Sequence, residues 1–225
     1  MYEFIRGPMA WACFSIFILG MIFQAVRFFV LTEKVQSARL AHPPRYKVRK
    51  KIELSRESLL SLASKLRVSV AGVNPLMTFV TIVFHVSIII LPVFLMEHNM
   101  LMDTLWGISF CPCVLSEINA DMLAGIVLSC ILFFLFRRIF VNRVRSISTF
   151  YDYFIILLTA SPFVTGILAI HDLFDYRILI ILHVMSVNII MVSLPFTKFV
   201  HSIFFFLNRF FIGSEYSLST GSRSW

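Results

Sequence analysis

Charge is scarce in this chain. Asp, Glu, Lys and Arg make up 14% of 225 residues, against about a quarter in a soluble globular domain, so an ordinary water-soluble domain is excluded. Cysteine is scarce too. Four cysteines, widely scattered, do not staple a small secreted fold. No Cys-x-x-Cys-His is present, which excludes a covalently attached c-type haem. No Walker loop and no glycine-rich dinucleotide turn is present either, which removes the commonest nucleotide chemistries. No internal repeat is visible, and neither inverted repeats nor broken helices speak for a transporter or channel subunit.

What remains is apolar bulk. Hydrophobic residues are 59% of the chain, with 25 Phe and 10 Met, and the mean hydropathy is +0.87. Five continuous apolar stretches approach the roughly 20 helical residues that cross a hydrocarbon core of about 30 Å. They run about 9–31, 75–96, 120–141, 151–170 and 178–207. The runs are continuous rather than alternating, so helices are expected and a β-barrel is not. Asn74-Pro75 marks the second start, with Asn as cap and Pro in the first turn. Thr149 and Asp152 have capping-box spacing before the fourth. The first stretch follows Glu3 and Arg6 and precedes its basic flank, which reads as a retained anchor rather than a cleaved leader.

The loops predict orientation. The segment 33–73 is strongly basic from Lys34 to Arg67, Arg143 and Arg145 lie between the third and fourth spans, and Arg209 and Arg223 lie in the tail. The opposite side has Arg6 and Arg177 against Glu97, Asp103, Glu117, Asp121, Asp172 and Asp175. By the positive-inside rule the N-terminus lies outside and the C-terminus in the cytoplasm. The expectation is thus an all-α integral membrane five-helix bundle in the cytoplasmic (inner) membrane. One membrane domain covers 1–207, and a cytoplasmic tail covers 208–225. The formal net charge of +8 is then a topology signal, and nucleic acid is not an expected partner. Within the loop, Pro43-Pro44 precedes an amphipathic helix over 55–68, with Leu59, Leu62, Ala63 and Leu66 at helical spacing. It suits either the inner leaflet or a cytoplasmic partner.

Histidine carries the chemistry. His42 falls in the basic loop, whereas His85, His98, His171, His183 and His201 fall within or at the ends of spans. Ionisable groups inside membrane helices are costly and are functional candidates, although a lone histidine often makes only an interhelical hydrogen bond. On a straight helix, His183 and His201 are five whole turns apart on one face and about 27 Å apart along the axis. The second and fifth spans run antiparallel, so His85 matches the depth of His201, and His98 that of His183. Two stacked histidine pairs are what two bis-histidine b-type haems require. His98 is about 140° out of phase with His85 on a straight helix, with Pro92 between them as a possible kink. His171 is the alternative outer ligand. Cys111-Pro112-Cys113 makes a poor disulfide and half a metal site, and Cys13 and Cys130 read as small packing residues.

On Phe84-His85, on Arg143-Val144-Arg145 followed by Ser-Thr, and on the stretch LHVMSVNIIMVSLPFTKFVH, the chain resembles the gamma subunit of respiratory nitrate reductase, over about residues 75–207. The segments MYEFIRGP, PVFLMEHN and SPFVTGILAIHDLFDYR make it more similar still to the cytochrome-b subunits of the Hmc and Tmc transmembrane redox complexes of sulfate-reducing bacteria. The resemblance implies a dihaem cytochrome b, an electron-transfer subunit of a membrane oxidoreductase complex. His85 and His201 would hold the inner haem iron, and His183 the outer one with His98 or His171. The family's second ligand on helix two falls where Leu95 stands here. The implied partners are a cytoplasmic iron–sulfur subunit like heterodisulfide reductase, a periplasmic multihaem cytochrome c and other membrane subunits, with menaquinone as a further redox partner. His171, Asp172 and the outer carboxylates are candidates near a quinone. The alternative is a membrane anchor with one haem or none.

Overall fold

The computed structural model describes residues 2–40, 74–107 and 114–208. The expected amphipathic helix 55–68, His42, Cys111, Cys113 and the tail beyond Asn208 lie outside the described residues. Among the described residues every regular element is helical. Five helices are long and apolar enough to cross a membrane: Ile5–Thr32, Pro75–Phe94, Glu117–Phe140, Phe150–Ile170 and Tyr176–Ser193. The protein is an all-α, multi-pass membrane protein, as the apolar runs require.

A π-helical turn at Ile5–Met9, built around Pro8, leads into α1 (Ala10–Leu40). There follow α2 (Pro75–Phe94), α3 (Met96–Trp106), α4 (Glu117–Phe140), the short α5 (Asn142–Arg145), α6 (Phe150–Ile170) and α7 (Tyr176–Ser193). Residues 201–208 form a last helix, α8. The chain divides into two compact units. One is Leu54–His183; the other joins both ends of the chain, Met1–Glu53 and Val184–Trp225.

In the first unit α4 packs against both α2 and α6. Leu91 of α2 is buried with Ala120 and Ala124 of α4, and Leu123, Phe163 and Ile167 close around them. Two alanines one turn apart let the backbones approach, which is how membrane helices gain dispersion contacts where lipid gives no hydrophobic drive.

Two interruptions differ from the continuous helices expected. The second span stops at Phe94, because Leu95 is extended at φ −72°, ψ 134°, and α3 begins anew at Met96. Pro92, two residues before the end, has no N–H to give to its own helix. The carbonyls freed at the end of α2 all find donors, as an apolar setting demands. Pro92 O accepts from His98 Nδ1 at 3.0 Å, Val93 O from Asn99 Nδ2 at 3.0 Å, and Phe94 O from the Leu115 N–H at 2.9 Å. The fifth span, expected over 178–207, ends as α7 at Ser193; a turn at Pro195 and a 3₁₀ turn at Lys198–Val200 precede α8. Asn74 also differs in detail. The helix does start at Pro75, but the Asn74 side chain makes no capping bond, and its carbonyl instead takes the Thr78 N–H and hydroxyl at 3.0 and 3.1 Å.

The α4–α6 corner is tied by charge. Asp152, 3% exposed, accepts the Thr149 N–H at 2.9 Å and its hydroxyl at 3.1 Å, in line with the spacing that marked this helix start. Arg138 lies 3.7 Å from the same carboxylate and donates to Ser148 Oγ at 3.0 Å. Removing the carboxylate strands a half-buried guanidinium and two helix-start donors. Asp152→Ala is therefore expected to destabilise the protein by about 1–3 kcal/mol. Thermal unfolding in detergent measures it, and an unchanged midpoint would show that the corner contributes nothing.

Candidate haem-binding site

The break at Leu95 decides the geometry of the histidines. His98 belongs to α3, not to the helix that carries His85, so the straight-helix phase between the two does not apply. Within the first unit the structure brings His98 together with His183. Their ring centroids are 6.0 Å apart, with the planes inclined at 38°. His98 Nδ1 is held by Pro92 O at 3.0 Å. His183 Nδ1 is held by Pro162 O at 2.9 Å and lies 3.2 Å from Thr165 Oγ1. A carbonyl oxygen only accepts, so in the neutral rings both Nδ1 atoms carry the proton and both lone pairs sit on Nε2.

The α6 segment under His183 is shaped for this contact. Pro162 withholds an N–H from Leu158 O, and the Ser161 hydroxyl donates to that oxygen instead, at 2.8 Å. At Gly166 a β-carbon would stand 3.4 Å from His183 Cε1 and 3.5 Å from its Nδ1. Glycine leaves the imidazole room to lie against the helix backbone.

His85 and His201 repeat the local pattern. His85 Nδ1 donates to Thr81 O at 2.7 Å on α2, and its ring meets the edge of Phe84, which packs in turn on Phe134. His201 Nδ1 donates to Lys198 O at 2.7 Å, and the ring borders an open groove with Phe204, Phe205 and Asn208. Both rings are exposed within the protein. His85 belongs to the first unit and His201 to the second. His171 takes a different partner. It ends α6, and its Nε2 lies 3.1 Å from Asp121 Oδ2 across to α4, so His98, not His171, stands beside His183.

The spacing of the His98–His183 pair is compatible with the group that the histidine pattern implies. A metal–imidazole bond of about 2 Å on each side, with the half-width of each ring, separates two axial rings by about 6 Å, and the His98–His183 centroids meet that spacing. The carbonyl on each Nδ1 is the outer hydrogen bond that orients a ligating histidine and raises its basicity. No group of three or more His, Cys, Asp or Glu side chains converges among the described residues.

Three contributing residues were not visible as such in the sequence: Asn99, Thr165 and Gly166. A signal existed for Gln24 and for Asn188, each a lone amide in an apolar run. Both are buried; Gln24 donates to Pro195 O at 2.7 Å and Asn188 to Ile5 O at 3.3 Å.

No family model matches the chain, and no solved structure matches it. A curated protein of Nitratidesulfovibrio vulgaris (strain Hildenborough), bearing only the name "Protein", is similar to it. The two are 28% identical over 228 residues, covering 100% of this chain and 97% of that one, so the likeness runs through all five membrane helices.

Proposed function

We propose that this chain is the dihaem b-type cytochrome subunit of a transmembrane redox complex in the cytoplasmic membrane. The single observation that carries the reading is the His98–His183 pair, two imidazoles at axial-ligand spacing with each Nδ1 fixed on a backbone carbonyl. When bound, two haems b supply a pair of one-electron carriers, one towards each leaflet. The chain's own residues hold the axial imidazoles, fix their tautomer through Pro92 O and Pro162 O, and surround them with apolar helix. His183 and His98 serve the outer haem; His85 and His201 are the proposed ligands of the inner one, on the resemblance to the nitrate reductase gamma subunits. The N-terminus lies outside, as the basic loops require. Electrons pass between a periplasmic multihaem cytochrome c or menaquinol on the outer side and a cytoplasmic iron–sulfur subunit on the inner side.

The test is haem content. The full chain, purified in detergent, is extracted and its haem measured as the pyridine complex against protein mass. About two non-covalent haems per chain are expected. None, from a preparation that keeps its partner subunits, would overturn the reading.

One observation favours the second reading, a membrane anchor with one haem or none. His98 closes the end of α2 through Pro92 O, a structural use that needs no iron. The haem measurement separates the two readings.

A further inference from the structure

The second unit contains a joint that the histidine pattern does not explain. The fifth span breaks at Pro195, which is fully buried. Proline has no N–H for the carbonyl four residues back, and the N–H groups of Phe196 and Thr197 both fall back on Ser193 O, at 3.1 and 3.0 Å. Thr197 Oγ1 then accepts the Phe199 N–H at 3.3 Å, the 3₁₀ turn Lys198–Val200 follows, and His201 opens α8 with its Nδ1 on Lys198 O. The ring of His201 is thus oriented by a turn six residues beyond a helix break. A break in a membrane helix is a place where orientation is easily lost, unless something outside the turn holds it.

That hold comes from α1. Gly20, Gln24 and Phe28 recur every four residues and so share one face of the helix. A β-carbon at Gly20 would stand 2.5 Å from Pro195 Cγ and 2.7 Å from its Cβ, so the helix backbone lies directly on the proline ring. Gln24 Nε2 donates to Pro195 O at 2.7 Å, from 171 positions away in sequence. The Phe28 ring packs on Phe204 of α8 at 5.9 Å. The Gln24 amide carries a penalty that leucine would not: its Oε1 is buried without a hydrogen-bond partner among the described residues, and burying an unsatisfied acceptor is unfavourable. Leucine, however, would leave the Pro195 carbonyl of the break without its donor.

We infer that Gln24 is a positioning residue for His201: by clamping the Pro195 carbonyl against α1 it sets the angle at which the turn presents the imidazole. The inference rests on the reading of His201 as an axial ligand. Gln24 itself touches no iron. Its effect is on one ligand, and it should be confined to one of two haems, with the His98–His183 haem as the control within the same molecule.

The experiment compares the full chain with Gln24→Leu, Gln24→Glu and His201→Ala in detergent, reading the low-spin ferric resonance signals and carbon monoxide binding by the reduced protein. A six-coordinate bis-histidine haem takes up no carbon monoxide, so the native chain should take up almost none. Gln24→Leu should shift one low-spin signal, leave the other in place, and open about half of the haem to carbon monoxide. Gln24→Glu should restore the native pattern, because at apolar depth its carboxyl is protonated and can donate to Pro195 O. Native spectra and no carbon monoxide uptake in Gln24→Leu would overturn the inference, and so would an equal shift of both signals. His201→Ala separates this failure from failure of the ligand assignment. Two native low-spin signals and no carbon monoxide uptake in that variant would overturn the assignment, whereas one low-spin signal lost there beside a native-like Gln24→Leu would overturn only the role of Gln24. If Gln24→Leu does not accumulate, Gly20→Ala is read in the same way, since its β-carbon displaces Pro195.

Discussion

Alanine at His183 is expected to remove one haem per chain and leave the second with its native spectrum. The variant deletes the imidazole that lies beside His98 at 6.0 Å, and the Thr165 hydroxyl, 2.8 Å from Ser161 O and 3.2 Å from Pro162 O, remains beside the carbonyl. Helix packing around α6 is then little disturbed, so haem loss reports ligation rather than misfolding. The pyridine assay should fall from about two haems to about one, and electron flow from an outside donor to an inside acceptor should fall below detection. Alanine at His98 should remove the same haem and do more damage, because Pro92 O at the end of α2 loses its donor, at about 1–3 kcal/mol. Methionine at His98 is the sharper variant. It is a competent axial ligand and cannot cap the carbonyl, so a retained haem with a raised potential would separate ligation from capping. Full haem content in His183→Ala would sink the outer-site assignment.

The second large effect is expected at His85 and His201. If both hold the inner haem, His85→Ala and His201→Ala each remove that haem alone, and the double variant removes no more than either single one. Groups that act as a unit are non-additive in this way. The quantity to measure is haem per chain in the two singles and the double. Two different haems lost in the singles, and both lost in the double, would show that these histidines serve separate sites.

The helices were readable because an apolar run of about 20 residues has few folded alternatives in a membrane. The five runs met the five helices, with ends displaced by a few residues at most save at the last. The histidines were readable as types, since each is an ionisable group in an apolar stretch. Their grouping was less so. A straight second span turned His98 away from His85 by about 140°, and that phase no longer applies once Leu95 breaks the helix and gives His98 its own short element. Pro92 pointed to the region of the break but not to its residue. The break falls where His98, Asn99 and the Leu115 N–H together can take up three carbonyls, and one of those donors comes from another part of the chain. Pro195 likewise stood in plain view inside a run treated as continuous. Its effect depends on Gly20 and Gln24, far away in sequence, and periodicity within one helix cannot report a partner on another.

The contacts that close the second unit have a consequence for how the protein is made. Ile5 and Gln24 find their amide-mediated partners 183 and 171 positions later, on α7 and in the turn that follows it. Closing so long a loop adds little free energy, because that term grows only with the logarithm of loop length. The delay is set by synthesis instead. At about 5–20 residues per second, α1 waits roughly ten to thirty seconds in the bilayer with the Gln24 amide still lacking Pro195. During that interval the helices around α4 can already assemble, so α1 is inserted before them and secured after them.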